Sequence, residues 1–487
     1  MNARTYPPPK SGEPWRLSAT ALAGCIAAGE CSAREATESV LAHVAQVNPR
    51  INALTDVHAV QALQAADAAD QAQVRGDALG PLHGVPVTLK VNVDTQGWPT
   101  TDGVSAWQDN MASEDSPVVA SLREAGAIVV GRSNTPAFSL RWFTDNDIHG
   151  RTLNPFNQAV TPGGSSGGAA AAVATGMGAI ALGSDYGGSI RYPAWACGVV
   201  GLRTTVGRIP SYKATAPHRT ISNQQMSVQG PLTRTVSDAR LALSVMSRGS
   251  ALDPQWVPAP LKFPPTPGPL RVAVCASHPA FPAHPGVREV VMQAAQWLAD
   301  AGCVVEEACP PHFEEAAHLW RALVFNDLRR AGRPAIEQMG DVSVQAALRH
   351  YLSDCPDWGR DPYLDGLTRR FSIARDWALF FERHPVLLMP NSWEVQFAVD
   401  QDTTSAARMA ELLAAQSPQL AVAMLGLPGL SVPTGLVNGL PTGVQLVASR
   451  FREDLLLQAA EWIEAAAGFS VLDALNGSLR TAPAPGA

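Results

Sequence analysis

The sequence predicts an α/β fold, and two local patterns carry that expectation. Residues 84–93, GVPVTLKVNV, are an apolar, Val-rich run of the kind a strand buried on both faces requires. Residues 116–125 have helical spacing, and after Gly126 a short apolar run, AIVV at 127–130, follows at once. Helix, glycine and short strand in succession imply α/β packing. Composition agrees. Hydrophobic residues make up 46% of the 487 positions and charged residues 16%, so most of the chain is too apolar and too weakly charged to stay disordered. Lys and Arg number 36 against 43 Asp and Glu, for a net charge of −7. No segment concentrates the basic residues, which argues against a nucleic-acid footprint.

Residues 1–16 read as an N-terminal extension with no apolar run, so no secretory signal is expected. Residues 17–28, 33–47 and 59–74 are Ala-rich with apolar positions three and four apart, which predicts three helices. Ser32 is the expected N-cap of the second, with Glu35 completing a capping box. Residues 152–168 are a loop by their Asn, Pro and Gly content, and 168–175 an Ala-rich helix. A strand at 179–182, a turn at 183–188 and a helix at 190–197 follow. The Pro-rich stretch 255–269 is the candidate boundary or linker. Beyond it come a strand at 271–275, a helix at 287–301, and an irregular, helical, aromatic-rich region at 310–384. Strands at 386–389, 429–432 and 443–447 and a helix at 454–467 close the pattern, with a disordered tail at 479–487.

The longest uncharged stretch, 152–184, is full of Gly, Ser, Asn and Pro, which a lipid-facing helix would not use. No membrane association is expected. Seven scattered cysteines, with no CxxC pair, predict neither a disulfide framework nor a zinc or redox site. A reduced, cytoplasmic protein is the expectation. His278 and His284, and His312 and His318, are six apart, which fits no zinc motif.

Three features could carry chemistry. Residues 163–168 read GGSSGG. A flexible loop is the plain interpretation. A nucleophile elbow, which Gly163-x-Ser165-x-Gly167 formally matches, would need a strand directly before it, and Asn154 to Pro162 cannot supply one. Residues 183–191 read GSDYGGSIR. Two glycines there let the backbone turn and bring several N–H groups to one point, as a developing oxyanion requires, with Ser189 at the end of the turn. The third feature is Lys90, which ends an apolar strand. Only Lys10, Lys90, Lys213 and Lys262 are lysines, so the chain uses Arg by default for solvated charge. A Lys among apolar neighbours can lose its proton and act as a base, whereas Arg cannot.

Together these features resemble the amidase signature family of serine hydrolases. Lys90, GGSSGG, then Gly183-Ser184-Asp185-Tyr186-Gly187-Gly188-Ser189-Ile190-Arg191-Tyr192-Pro193 follow the family's order and spacing. Pro81 to Pro86, Gly230 to Arg234, Gly429 to Pro433 and Pro441 to Leu446 support the resemblance, which covers about 17–245 and 385–468.

The resemblance implies one large α/β domain at 17–478, with a central mixed or mostly parallel sheet covered by helices on both faces. The catalytic core would lie at about 75–245 and 385–468, and a variable region that sets specificity at about 255–384. It implies a Ser–cis-Ser–Lys triad. Ser189 would be the nucleophile, Ser165, after a cis peptide, the bridge, and Lys90 the base. Backbone N–H groups of Tyr186, Gly187, Gly188 and Ser189 would form the oxyanion hole. The implied activity is hydrolysis of a small or medium carboxamide through an acyl-enzyme, with esterase side activity, and the chain's aromatic content favours an apolar or aryl group. No metal or cofactor would be needed, and no partner beyond substrate and water; a homodimer is compatible.

Trp142, Phe143, Tyr186 and Trp195 are the candidate substrate contacts, joined by Trp320, Phe325, Trp377 and Trp393 from the variable region. Two positions depart from the family: Tyr186 stands where Thr or Ile is frequent, and Val91-Asn92-Val93-Asp94 follows Lys90. The alternative functions are a glutaminase component of a tRNA-dependent amidotransferase and a non-catalytic binding protein. Retention of all three triad positions argues against the latter.

Overall fold

The computed structural model describes residues 13–264, 268–353 and 355–475. The expected disordered tail and residues 1–12 of the N-terminal extension lie outside them. The described residues form one 11-stranded mixed sheet. In chain order the strands are β1 (Leu54–Val57), β2 (Pro86–Lys90), β3 (Ile128–Ser133), β4 (Ile180–Asp185), β5 (Val200–Arg203), β6 (Val228–Thr233), β7 (Arg271–Val274), β8 (Val304–Glu307), β9 (Val386–Pro390), β10 (Gly429–Val437) and β11 (Leu440–Ala448). Their spatial order is β1-β3-β2-β4-β6-β5-β10-β11-β9-β7-β8. Parallel pairing is confined to β3-β2-β4 and to β9-β7-β8; the other neighbours are antiparallel.

Both faces of the sheet are buried, and alternation along the strands shows it. Ile128 and Val130 pack with helices Ala33–Ile51, Ala59–Arg75 and Gly167–Ala174, whereas Val129 packs on the other face with helices Pro117–Glu124 and Val236–Met246. Ala181 likewise faces the first layer, and Ile180 and Leu182 the second. The single sheet runs through the chain on both sides of the Pro-rich stretch, so 255–269 marks no domain boundary. Helix Ala33–Ile51 starts at the Ser32–Glu35 capping box as the sequence predicts.

Several elements differ from expectation. β4 extends through Gly183, Ser184 and Asp185, because all three pair with β6, so the turn begins only at Tyr186. β10 and β11 are longer than predicted and join as an antiparallel hairpin. Cys275 and Cys309 form a disulfide, with Cα atoms 4.8 Å apart. The parallel register of β7 and β8, which pairs Val274 with Glu307, carries the two cysteines together. The expectation of seven reduced cysteines therefore fails at this pair. No helix among the described residues is long and apolar enough to cross a membrane.

Candidate active site

β2 and β4 are parallel, with Leu89 paired to Leu182. That register brings Lys90 and Ser184 to the same sheet edge, at the carboxyl ends of parallel strands, where α/β proteins place their ligands. Lys90 is fully buried. Its Nζ lies 2.7 Å from Ser165 Oγ and 3.0 Å from Ser184 Oγ. Burial pushes the Lys90 pKa down to about 7, so the neutral amine is accessible near neutral pH. Asn92 Nδ2 donates to Ser184 Oγ (3.3 Å) and to Ser139 Oγ (3.0 Å), and Ser139 donates to Asp102 Oδ1 (2.6 Å).

Ser165 reaches this point from the start of helix Gly167–Ala174, and the Gly164–Ser165 peptide is cis. The glycines around it are packed rather than flexible. A Cβ on Gly164 would sit 2.4 Å from Arg141 O, and one on Gly168 2.4 Å from Asn134 N. Residues 163–166 are thus a loop that is buried and closely packed, and Gly167 and Gly168 open the helix. Ser189 lines the same cavity as Ser165. Among the described residues no hydrogen bond joins the two hydroxyls; Ser166 N donates to Ser189 O (3.2 Å) instead.

The turn carrying Ser189 is anchored on the Asp185 carboxylate. Asp185 accepts from Arg191 Nε and Nη2 (both 2.9 Å), Arg203 Nη1 (3.1 Å), Gly188 N (2.9 Å) and Ile190 N (3.2 Å). Burial would raise its pKa, but the two guanidiniums outweigh that and hold the carboxyl well below its usual range. Gly188 N–H, one of the four expected oxyanion donors, is thereby engaged by Asp185. The remaining expected donors, the amides of Tyr186, Gly187 and Ser189, have no backbone acceptor among the described residues.

Two indoles fix the carbonyls of the same turn. Trp142 Nε1 donates to Gly187 O (3.1 Å) and Trp320 Nε1 to Tyr186 O (2.9 Å). A peptide whose carbonyl is held on one side presents its next N–H to the other. The Tyr186 ring packs edge-on to Trp320, and its hydroxyl bonds Ser222 Oγ (2.6 Å), which donates to Asp327 Oδ2 (2.6 Å). Replacing Trp320 by Phe keeps a ring and removes the donor. It should lower kcat about tenfold, the worth of one hydrogen bond. Steady-state kinetics should show the same loss with an acyl group too small to reach the ring.

Two lobes meet at Ser189. The first, about 170 Å³, is polar and includes Asn92, Asp102, Ser165, Ser184, Lys213 and Arg219. The second, about 340 Å³, is walled by Trp142, Trp320, Val324, Phe325, Leu328 and Tyr351. Tyr186, Phe138, Ser139 and Asn223 border both. Of the expected aromatic contacts, Trp142, Tyr186, Trp320 and Phe325 are brought to the site and four are not. Phe143 stacks on Phe397 (6.3 Å), and Trp195 packs on Tyr192 (5.5 Å) against a separate cavity. Trp377 and Trp393 pack around Phe313 in the core. Nearness in sequence to the catalytic motifs did not translate into nearness in space for Phe143 and Trp195.

A family model described as Amidase matches residues 35–457. The chain is 41% identical over 459 residues to an indoleacetamide hydrolase of Bradyrhizobium diazoefficiens, covering 94% of this chain and 88% of that one. It is 33% identical to a glutamyl-tRNA(Gln) amidotransferase component of Moorella thermoacetica, covering 92% and 96% respectively. Its fold is similar to that of a 6-aminohexanoate cyclic dimer hydrolase, with TM-score 0.81 at 28% identity over 94% of this chain and 98% of that one.

Proposed function

This chain belongs to the amidase family and hydrolyses carbon–nitrogen amide bonds; from that premise we propose that its substrate is a primary arylacetamide, cleaved through an acyl-enzyme on Ser189. The observation that carries the substrate class is the aromatic lobe, about 340 Å³, that opens onto Ser189. An aryl group buried there replaces water with ring contacts on several sides. The name of the indoleacetamide hydrolase relative supports the same class.

Neutral Lys90 takes the proton of Ser165 as Ser165 takes that of Ser189. The relay requires the Ser165–Ser189 hydrogen bond to form once substrate is bound, as catalytic contacts tighten in the Michaelis complex. Ser184 accepts an N–H of Lys90 and so keeps the amine lone pair toward Ser165. Ser189 Oγ attacks the carbonyl carbon, and the oxyanion forms before the amides of Tyr186, Gly187 and Ser189. The proton then returns through Ser165 to the nitrogen, the C–N bond breaks, and ammonia leaves. Water repeats the sequence on the ester and frees the acid. The relay needs no metal or cofactor, and a cytoplasmic enzyme acting on its substrate alone fits this reading.

Purified chain should release ammonia and the arylacetic acid from indole-3-acetamide and phenylacetamide, and a fluorophosphonate should label Ser189. No turnover of either amide, together with glutamine hydrolysis on adding partner proteins, would favour the glutaminase alternative instead. That alternative rests on lower identity and gives the aromatic lobe no role.

A further inference from the structure

The relay fixes which lobe receives which half of an amide. Ser165, whose hydroxyl hands the proton to the departing nitrogen, lines only the polar lobe; Trp142 and Gly187 line only the aromatic one. Resting on the mechanism above, the acyl half therefore lies in the aromatic lobe and the amine half in the polar lobe. The single nitrogen of a primary amide leaves most of that polar lobe unused.

The lobe also carries unbalanced positive charge. Lys213 lines it and makes no salt bridge among the described residues, although Asp102 attracts it at longer range; the one hydrogen bond at this residue is accepted by its backbone carbonyl, from Ala216 N. Arg219 lines it too, and its guanidinium donates only to neutral oxygens: Asn223 Oδ1 (2.8 Å), Asn223 O (3.0 Å), Ser211 O (3.3 Å) and Ser227 O (3.5 Å). The acidic group on the wall is Asp102, which accepts from Ser139 and whose carboxyl burial pushes toward the neutral form. Two cations thus line the lobe with one carboxyl, and Asp253, which is not part of the lining, also attracts Arg219. A chain that spends Arg almost everywhere places two of its four lysines, Lys90 and Lys213, at this one site.

We propose that the polar lobe is a carboxylate-recognising subsite, and that the enzyme also cleaves N-arylacyl derivatives of small amino acids, with Lys213 and Arg219 facing the carboxylate of the amine half. The step balances as a hydrolysis. Ser189 Oγ bonds to the acyl carbon, the C–N bond breaks, and the nitrogen takes the proton held by the Lys90–Ser165 relay. The amino acid departs, water supplies hydroxyl to the acyl carbon, and its proton restores Ser189. The products are an arylacetic acid and a free amino acid.

The test compares phenylacetylglycine, its uncharged isostere phenylacetylglycinamide, and phenylacetamide. The wild-type enzyme should prefer the carboxylate over the isostere by about tenfold or more in kcat/KM, and added salt should erode the preference. Lys213→Met should bring the ratio toward one, and Lys213→Arg should retain it. Equal or reversed preference in the wild type overturns the proposal without recourse to a variant. If phenylacetamide is cleaved and phenylacetylglycine is not preferred, only the subsite falls. If phenylacetylglycine is cleaved and phenylacetamide is not, the subsite stands and the primary-amide reading falls. If none is cleaved, both fall.

Discussion

Lys90→Met is expected to lower kcat by roughly 10⁴-fold, the scale of losing a positioned base that activates a nucleophile, while making the protein harder to unfold. The two effects share one cause. Lys90 is fully enclosed, and its burial lowers its pKa from 10.5 to about 7. Below about pH 7 the amine is protonated in both folded and unfolded chains. Between about 7 and 10.5 the unfolded chain holds a proton that the folded one lacks, so wild-type stability rises with pH across that window. The desolvation cost is therefore largest at pH 7 and below, on the order of a few kcal/mol. Met fills a similar volume without it. Thermal melts should show the variant above the wild type at pH 7, with the gap narrowing by pH 9. In the wild type, kcat/KM should climb with pH about a midpoint near 7 as the base form fills. A variant that is both inactive and less stable at pH 7 would contradict this account.

Asp185→Asn is expected to cost on the order of 3–5 kcal/mol in stability, the scale for stripping the partner from buried charge. Arg191, Arg203 and Asp185 are all fully buried, and one carboxylate is paired with both guanidiniums. Asn keeps the shape and removes the charge. Its amide would also point donors at donors, since Asp185 accepts from Gly188 N and Ile190 N on either side of Ser189. Activity should fall with stability. The measurement is the urea midpoint of the variant together with its kcat at a temperature where it remains folded. An unchanged midpoint would show that the guanidiniums find other compensation.

The three residues of the proposed triad were legible because they sit in short contiguous motifs whose local chemistry is unusual: a lysine in an apolar strand, a serine after paired glycines. The α/β pattern was legible for the same reason, since apolar runs such as 127–130 are local. What escaped depended on distance along the chain. Trp320 bonds Tyr186 O across 134 positions, and Cys275 meets Cys309 across 34. β8 escaped because its residues, VVEE, are largely exposed and carry no buried-strand pattern. β5 and β6 are short and interrupted by glycine or proline, and only their neighbours make them strands. Ser184 was hidden inside a predicted turn that is in fact the end of β4. Lys213 had a signal, the scarcity of lysine, but nothing in its flanking residues tied it to the site.

Helix Phe313–Asp327 walls the aromatic lobe through Val324 and Phe325, and it holds the turn that carries Ser189 through Trp320 and Asp327. Redesign of acyl preference is thus freest at Val324 and at Leu328 just beyond the helix end. Attempts to widen the pocket at Trp320 or Asp327 would slow the chemistry for every substrate alike, so a library built on this helix should be randomised at the former positions and left untouched at the latter.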